Sequence, residues 1–187
     1  SVTAGLDAVQ AQLGTPRVLV NCAGITDEAP LQELSLEQWR RVLSVNLDGV
    51  FLGTAAAIRA MSQHGEGAIV NVSSVSGIKA SAGAAAYCTS KAAITGLTRA
   101  LAVELASEGI LVNALMPGWV DTEMAQDGIQ LMADATGQSF AEARAAQMAM
   151  VPLGRMSTPD EIAALVAFLF SGEQSSITVQ RRLDSSS

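Results

Sequence analysis

One tyrosine occurs in the 187 residues, Tyr87, and Lys91, one of two lysines, follows it by four positions. On a helix that spacing puts both side chains on one face. A phenol ordinarily ionises near pH ~10 and is a poor base at neutral pH. An ammonium a few ångströms away favours the phenolate and lowers that value, so the pair could give and take a proton near neutral pH. The plain alternative is a core tyrosine beside a solvated lysine. Further polar and glycine residues cluster in three places: Asn21 to Gly24, Ser73 to Gly77, and Pro117 to Thr122.

Short apolar runs precede or open those clusters: Arg17-Val-Leu-Val-Asn21, Ala68-Ile-Val-Asn-Val-Ser73 and Ile110-Leu-Val-Asn-Ala-Leu115. None alternates polar with apolar, which is the pattern of parallel strands covered on both faces. Helical patterns lie between them. Ser35-Leu-Glu-Gln38 reads as a capping box, opening a helix whose Leu36, Trp39, Leu43, Leu47 and Val50 recur at three- and four-residue steps. A second helix is expected from about Tyr87 to Ser107, with Ile94, Leu97, Leu101 and Leu105 on one stripe. Thr158-Pro-Asp-Glu161 opens another, through about Phe170. Alternating strands and helices predict one α/β domain on a doubly wound parallel sheet, with ligands beyond the carboxyl ends of its strands.

Composition narrows the function classes. Nearly half the residues are apolar and the formal net charge is −7. That balance excludes a disordered chain and disfavours nucleic acid as a partner. No apolar run reaches the ~18 residues of a membrane-spanning helix without interruption, so no membrane partner is expected. Cys22 and Cys88 are too few for a disulfide scaffold and suit a reducing, cytoplasmic setting; His64, the one histidine, reads as a solvated loop residue. No His/Cys metal site is expected.

Taken in order, Asn21-Cys-Ala-Gly24, Val45-Asn46-Leu-Asp-Gly49, Ser73-Ser74, Tyr87-Cys-Thr-Ser-Lys91 and Pro117-Gly118 resemble the classical short-chain dehydrogenase/reductase family over roughly residues 5 to 178. The resemblance implies a Rossmann-like fold and NAD- or NADP-dependent hydride transfer between a ketone and a secondary alcohol, 3-oxoacyl reductase-like or related. It implies Tyr87 as general acid–base and Ser74 as the donor to the substrate oxygen. Lys91 would tune the tyrosine and hold the nicotinamide ribose. Asn46 would kink its helix and support a water relay. Asn21, Ala23 and Gly24 would face the adenosine side of the cofactor, while Pro117, Gly118, Val120 and Thr122 would close over the nicotinamide. Residues 121–151, with Met124, Met132, Met148 and Met150, match the substrate lid, and Ser76, Trp119 and Met124 are candidate pocket residues. A carbonyl or alcohol substrate and a homo-oligomer of the intact parent complete the implied partners.

The chain departs from the family pattern at both ends. The family opens with a strand and a glycine-rich turn that receives the cofactor pyrophosphate. No such run precedes residue 17, and Leu6 to Leu13 reads as the tail of a helix. The expectation is a partial domain lacking the first βαβαβ portion, on the order of 60 residues, and with it the residue that would choose between NAD and NADP. Residues 179–187 form an atypical tail where the family continues into a last strand. Two other readings follow: a catalytically silent fragment without a working cofactor site, or an oligomerising module using helices 36–62 and 87–107.

Overall fold

The computed structural model describes residues 2–173 and 175–178, so the tail expected at 179–187 lies outside the described residues. Its contacts fall into two units, Ser1–Met116 with Phe168–Ser187, and Pro117–Ala167. The first contains helix α1 (Val2–Leu13), strand β1 (Val18–Asn21), α2 (Leu36–Leu43), α3 (Gly49–Met61), β2 (Gly67–Val72), α4 (Ala85–Leu105) and β3 (Ile110–Leu115). The three strands are parallel in the order β1-β2-β3, with Asn21 level with Asn71 and Val72 level with Leu115. The strand ends therefore come level at one edge, as the polar clusters anticipated.

Cover expected of buried strands holds for β2 and β3 and fails for β1. Ile69, Ile110 and Val112 are buried, packing with Ala57, Met61, Ala102 and Leu105 of α3 and α4, and Val70 is buried as well. Val18 and Val20 instead stand 43% and 39% exposed. β1 and β3 are both edge strands of this sheet, and the difference lies in helix cover, which is more extensive on β3, against α4, than on β1, against α3.

The capping box at Ser35 forms as expected, with Gln38 N–H donating to Ser35 Oγ and Ser35 N–H to Gln38 Oε1. The helix it opens is not regular. A π-helical turn, Ser44–Asp48, separates α2 from α3. Of the expected stripe Leu36, which precedes that turn, is 60% exposed, Trp39, Leu43 and Leu47 are half-buried, and Val50 is buried along with Val42, Asn46, Thr54 and Ala57. The whole run Leu36–Met61 is 26 residues and, by length and composition alone, apolar enough to cross a membrane, although Arg40, Arg41, Asn46, Asp48 and Arg59 interrupt it. Its inward face packs on β1, β2 and α4, as in the core helix of a globular unit.

The second unit carries α5 (Glu123–Thr136) and α6 (Phe140–Ala149), and α7 (Pro159–Phe170) begins in it. Residues 121–151 thus hold two helices. Gly137, at φ +68°, ends α5 in the left-handed region, and Ser139 with Glu142 opens α6 as a capping box. Ala125, Ile129, Ala133, Ala143, Met148 and Met156 form its core, with Trp119, Phe140 and Val151 against them.

Candidate active site

Tyr87 lies in the first turn of α4, and Lys91 is one turn on. The shared face forms as the spacing predicts: Lys91 Nζ is 5.5 Å from the centre of the Tyr87 ring. Lys91 is only 4% exposed, and its ammonium donates to the Val72 carbonyl at the end of β2, at 2.8 Å. Burial disfavours its charge and holds its pKa below the usual lysine value.

Tyr87 corrects the expectation of a lowered phenol pKa. Burial is the largest influence and pushes it above its ordinary value near 10; a hydrogen bond with the Ser74 side chain opposes this, and Cys88 and Glu28 push the same way as burial. The physical reason is that burial strips water from the phenolate and the Ser74 hydrogen bond does not offset that loss, so desolvation decides the direction.

Ser74 is buried at the start of the 3₁₀ turn Val75–Gly77, where its hydroxyl accepts from Ser76 N–H. This turn lies against α4 so closely that a Cβ on Gly77 would stand 3.0 Å from the Lys91 carbonyl carbon and oxygen. Gly77 therefore permits the approach that joins Ser74 to Tyr87. Ser76 lines a cavity of about 260 Å³ with Gly77, Ile78, Lys79, Cys88 and Ala92.

Asn46 is 0% exposed at the centre of the π turn, where such irregularities often mark functional sites. Its amide accepts from Ile25 N–H at 2.8 Å and donates to the Ile25 carbonyl at 2.9 Å and to Ser90 Oγ at 3.0 Å. Ser90 in turn donates to the Tyr87 carbonyl at 2.7 Å. Asn46 is thus tied to the tyrosine's backbone through Ser90. Sequence reasoning missed Ser90, although its place three residues after Tyr87 on a helix was a usable signal.

The loop after β1 divides by residue. Asn21 does not offer its amide outward: it donates to Thr54 Oγ1 at 2.9 Å and Asn71 Oδ1 at 2.8 Å, and Asn71 donates to Thr98 Oγ1 at 2.9 Å. This buried polar ladder joins α3, β1, β2 and α4. Ala23 is exposed, and a Cβ on Gly24 would meet Lys91 Nζ at 3.4 Å and Asn46 Oδ1 at 3.5 Å. The bare glycine leaves that space open beside the ammonium.

Pro117, Gly118, Trp119, Val120, Thr122 and Met124 belong to the second unit. There Val120 bridges Ser157, the Thr122 hydroxyl caps α5, and Trp119 packs into that unit's own core. Among the described residues, no three His, Cys, Asp or Glu side chains gather to hold a metal. His64 is exposed, as expected, within 2.8 Å of Thr15 Oγ1.

Comparison with known proteins fits this arrangement. A family model described as enoyl-(acyl carrier protein) reductase matches residues 1–182. The 3-oxoacyl-[acyl-carrier-protein] reductase FabG of Vibrio cholerae is 38% identical over 178 residues, 95% of this chain and 68% of that protein. The chain belongs to the short-chain dehydrogenase/reductase family. Cis-4-hydroxycyclohexanecarboxylate dehydrogenase of Sinomonas cyclohexanicum is 42% identical over 172 residues, 91% of this chain and 65% of the relative. An actinorhodin polyketide ketoreductase solved with NADPH superposes with a TM-score of 0.91 at 39% identity, covering 95% of this chain and 69% of that one. NAD+-bound xylitol dehydrogenase gives a TM-score of 0.89 at 33% identity, covering 95% and 70%. The fold is accordingly the family's α/β, Rossmann-like one, and the chain spans about two thirds of the length of these short-chain dehydrogenase/reductase relatives.

Proposed function

We propose that this protein interconverts a ketone and a secondary alcohol, with Tyr87 as the general acid–base. The observation that carries the reading is the meeting of Ser74 and Lys91 at the chain's one tyrosine. Two hydroxyls presented together can donate to one substrate oxygen, where charge builds as a carbonyl is reduced. The raised pKa keeps Tyr87 protonated at neutral pH, so it is a donor in the reducing direction.

A nicotinamide dinucleotide, when bound, supplies or accepts the hydride. The residues fit such a group: a buried ammonium, a glycine open beside it, and an exposed Ala23 in the same loop. Lys91, Tyr87, Ala23 and Gly24 would hold it. Asn46, through Ile25 and Ser90, keeps that loop and the tyrosine's turn in register. Both cysteines are free thiols, in keeping with a reducing, cytoplasmic setting.

A second copy of the chain is the macromolecular partner this reading includes. Phe51, Ala55 and Ile58 of α3 and Leu97 and Leu101 of α4 line an apolar groove, with Phe51 exposed. Light scattering on the eluting protein is expected to give a mass above one chain.

Melting the protein with saturating NADH or NADPH, followed by ketone-dependent oxidation of the nucleotide, tests the reaction. A ligand at a hundred times its Kd adds about 2.7 kcal/mol of stability, so binding raises Tm. A folded protein whose Tm neither nucleotide moves would favour the silent-fragment reading instead.

A further inference from the structure

Two consecutive residues at the end of β2 grip Lys91, one at its ammonium and one at its backbone carbonyl. The ammonium donates to the Val72 carbonyl at 2.8 Å, and the Lys91 carbonyl accepts from Ser73 Oγ, also at 2.8 Å. The two contacts close a ring that runs from strand to ammonium, along the four-carbon stem to the helix carbonyl, and back to the strand. Ser73 is 3% exposed and Lys91 4%, so water does not compete for either bond. Ser73 is itself fixed, because its N–H donates to the Leu115 carbonyl at the end of β3 at 2.8 Å.

Other groups converge on the same carbonyl. Thr95 Oγ1, one turn on along α4, donates to it at 3.0 Å and lies 3.1 Å from Ser73 Oγ. Thr95 and Lys91 belong to one helix, so their contact does nothing to fix α4 against the sheet. The Ser73 contact does, since it crosses from sheet to helix. The turn at Gly77 also comes close to this carbonyl, but packing limits distance alone, whereas a hydrogen bond has a direction.

We propose that Ser73 is a positioning residue: by tying the Lys91 backbone to the strand end that also receives its ammonium, it holds that ammonium 5.5 Å from the centre of the Tyr87 ring. The inference rests on the reaction proposed above, which needs the two groups to stay together. A lysine stem is among the most rotamer-rich of side chains, and an ammonium tethered to a helix that can shift moves with it. With both ends tied to one strand, the stem keeps one path. In this role Ser73 acts through Lys91 alone.

The chain has two lysines, so carbon-13-labelled lysine gives two sets of ε-methylene NMR signals, and Lys79→Arg identifies those of Lys91 without turnover. A stem held on one path keeps its two ε protons distinct, whereas one that samples several averages them. Ser73→Ala is expected to draw the two Lys91 shifts together, with circular dichroism confirming the fold. Ser73→Thr, which keeps the hydroxyl, is expected to hold them apart. So is Thr95→Val, which takes a hydroxyl from the same carbonyl without untying helix from sheet. Should Ser73→Ala not fold, Ser73→Cys, with its weak S–H donor, carries the same prediction. Shifts that coincide in wild type, stay distinct in Ser73→Ala, or merge as far in Thr95→Val overturn the proposal. In the nucleotide-dependent reaction Ser73→Ala is expected to lower kcat by about ten-fold with little change in KM. Added to Lys91→Met, the same substitution is expected to lower kcat no further, because the residue it acts through is gone. Losses that add in the double variant overturn the proposal too. Wild-type protein that turns over no ketone counts against the reaction itself, and the lysine signals still decide the tether.

Discussion

Polar side chains do different work in the two units. In Pro117–Ala167 they act on near neighbours at the surface: Ser139 with Glu142 three residues on, Thr158 with Glu161, and Arg155 with Glu161 six on. Around Tyr87 they join distant segments in the interior: Asn21 with Asn71 fifty residues on, Asn46 with Ser90 forty-four on, and Ser73 with the Lys91 carbonyl eighteen on. Water can replace a surface partner. It cannot reach a buried one, so breaking a buried contact leaves an unsatisfied group at a cost of about 1–3 kcal/mol each. The first kind of contact starts helices; the second holds a site to fixed geometry.

If that contrast is right, the largest stability loss comes from the centre of the ladder. Asn71→Leu removes the acceptor of Asn21 and the donor to Thr98, and urea unfolding is expected to show about 2–4 kcal/mol lost. Ser90→Ala takes one partner from Asn46 and one from the Tyr87 carbonyl, and the same experiment should give about 1–2 kcal/mol. Ser139→Ala removes only an exposed cap and is expected to cost about 1 kcal/mol. A loss at Ser139 equal to that at Asn71 would erase the distinction.

Glu161 sharpens the surface side. The Arg155 guanidinium and the Thr158 N–H hold its carboxyl down to about 2 from an ordinary 4.5. A lowered carboxyl stabilises above its unfolded value and ceases to do so as pH falls through its folded one. Wild type should therefore melt slightly above Glu161→Gln at about pH 6, and the two should converge near pH 2. Salt should shrink the difference as well, because the pair is solvent-exposed.

The same contrast explains what the residues disclosed in advance. Helix starts at Ser35 and Thr158 were legible because a capping box is complete within four residues. The one at Ser139 was equally local and went unread inside the segment matched to the substrate lid. Ser74, Tyr87, Asn46 and Lys91 could be named from spacing and resemblance, and they do gather. The direction of the Tyr87 shift could not be read, since helical spacing says which groups are near but not how dry they are. Leu36 reads as inward and is exposed, while Val50, beyond the π turn, is buried as read.

The central claim is that Tyr87 is the proton donor and acceptor of a carbonyl–alcohol interconversion. It is tested most directly by the rate of ketone-dependent NADPH or NADH oxidation in wild type and Tyr87→Phe, with nucleotide affinity measured alongside. The substitution keeps the ring and removes the hydroxyl, so kcat is expected to fall by about 10²–10⁴-fold while nucleotide Kd changes little. A Tyr87→Phe protein that turns over at the wild-type rate would contradict the account.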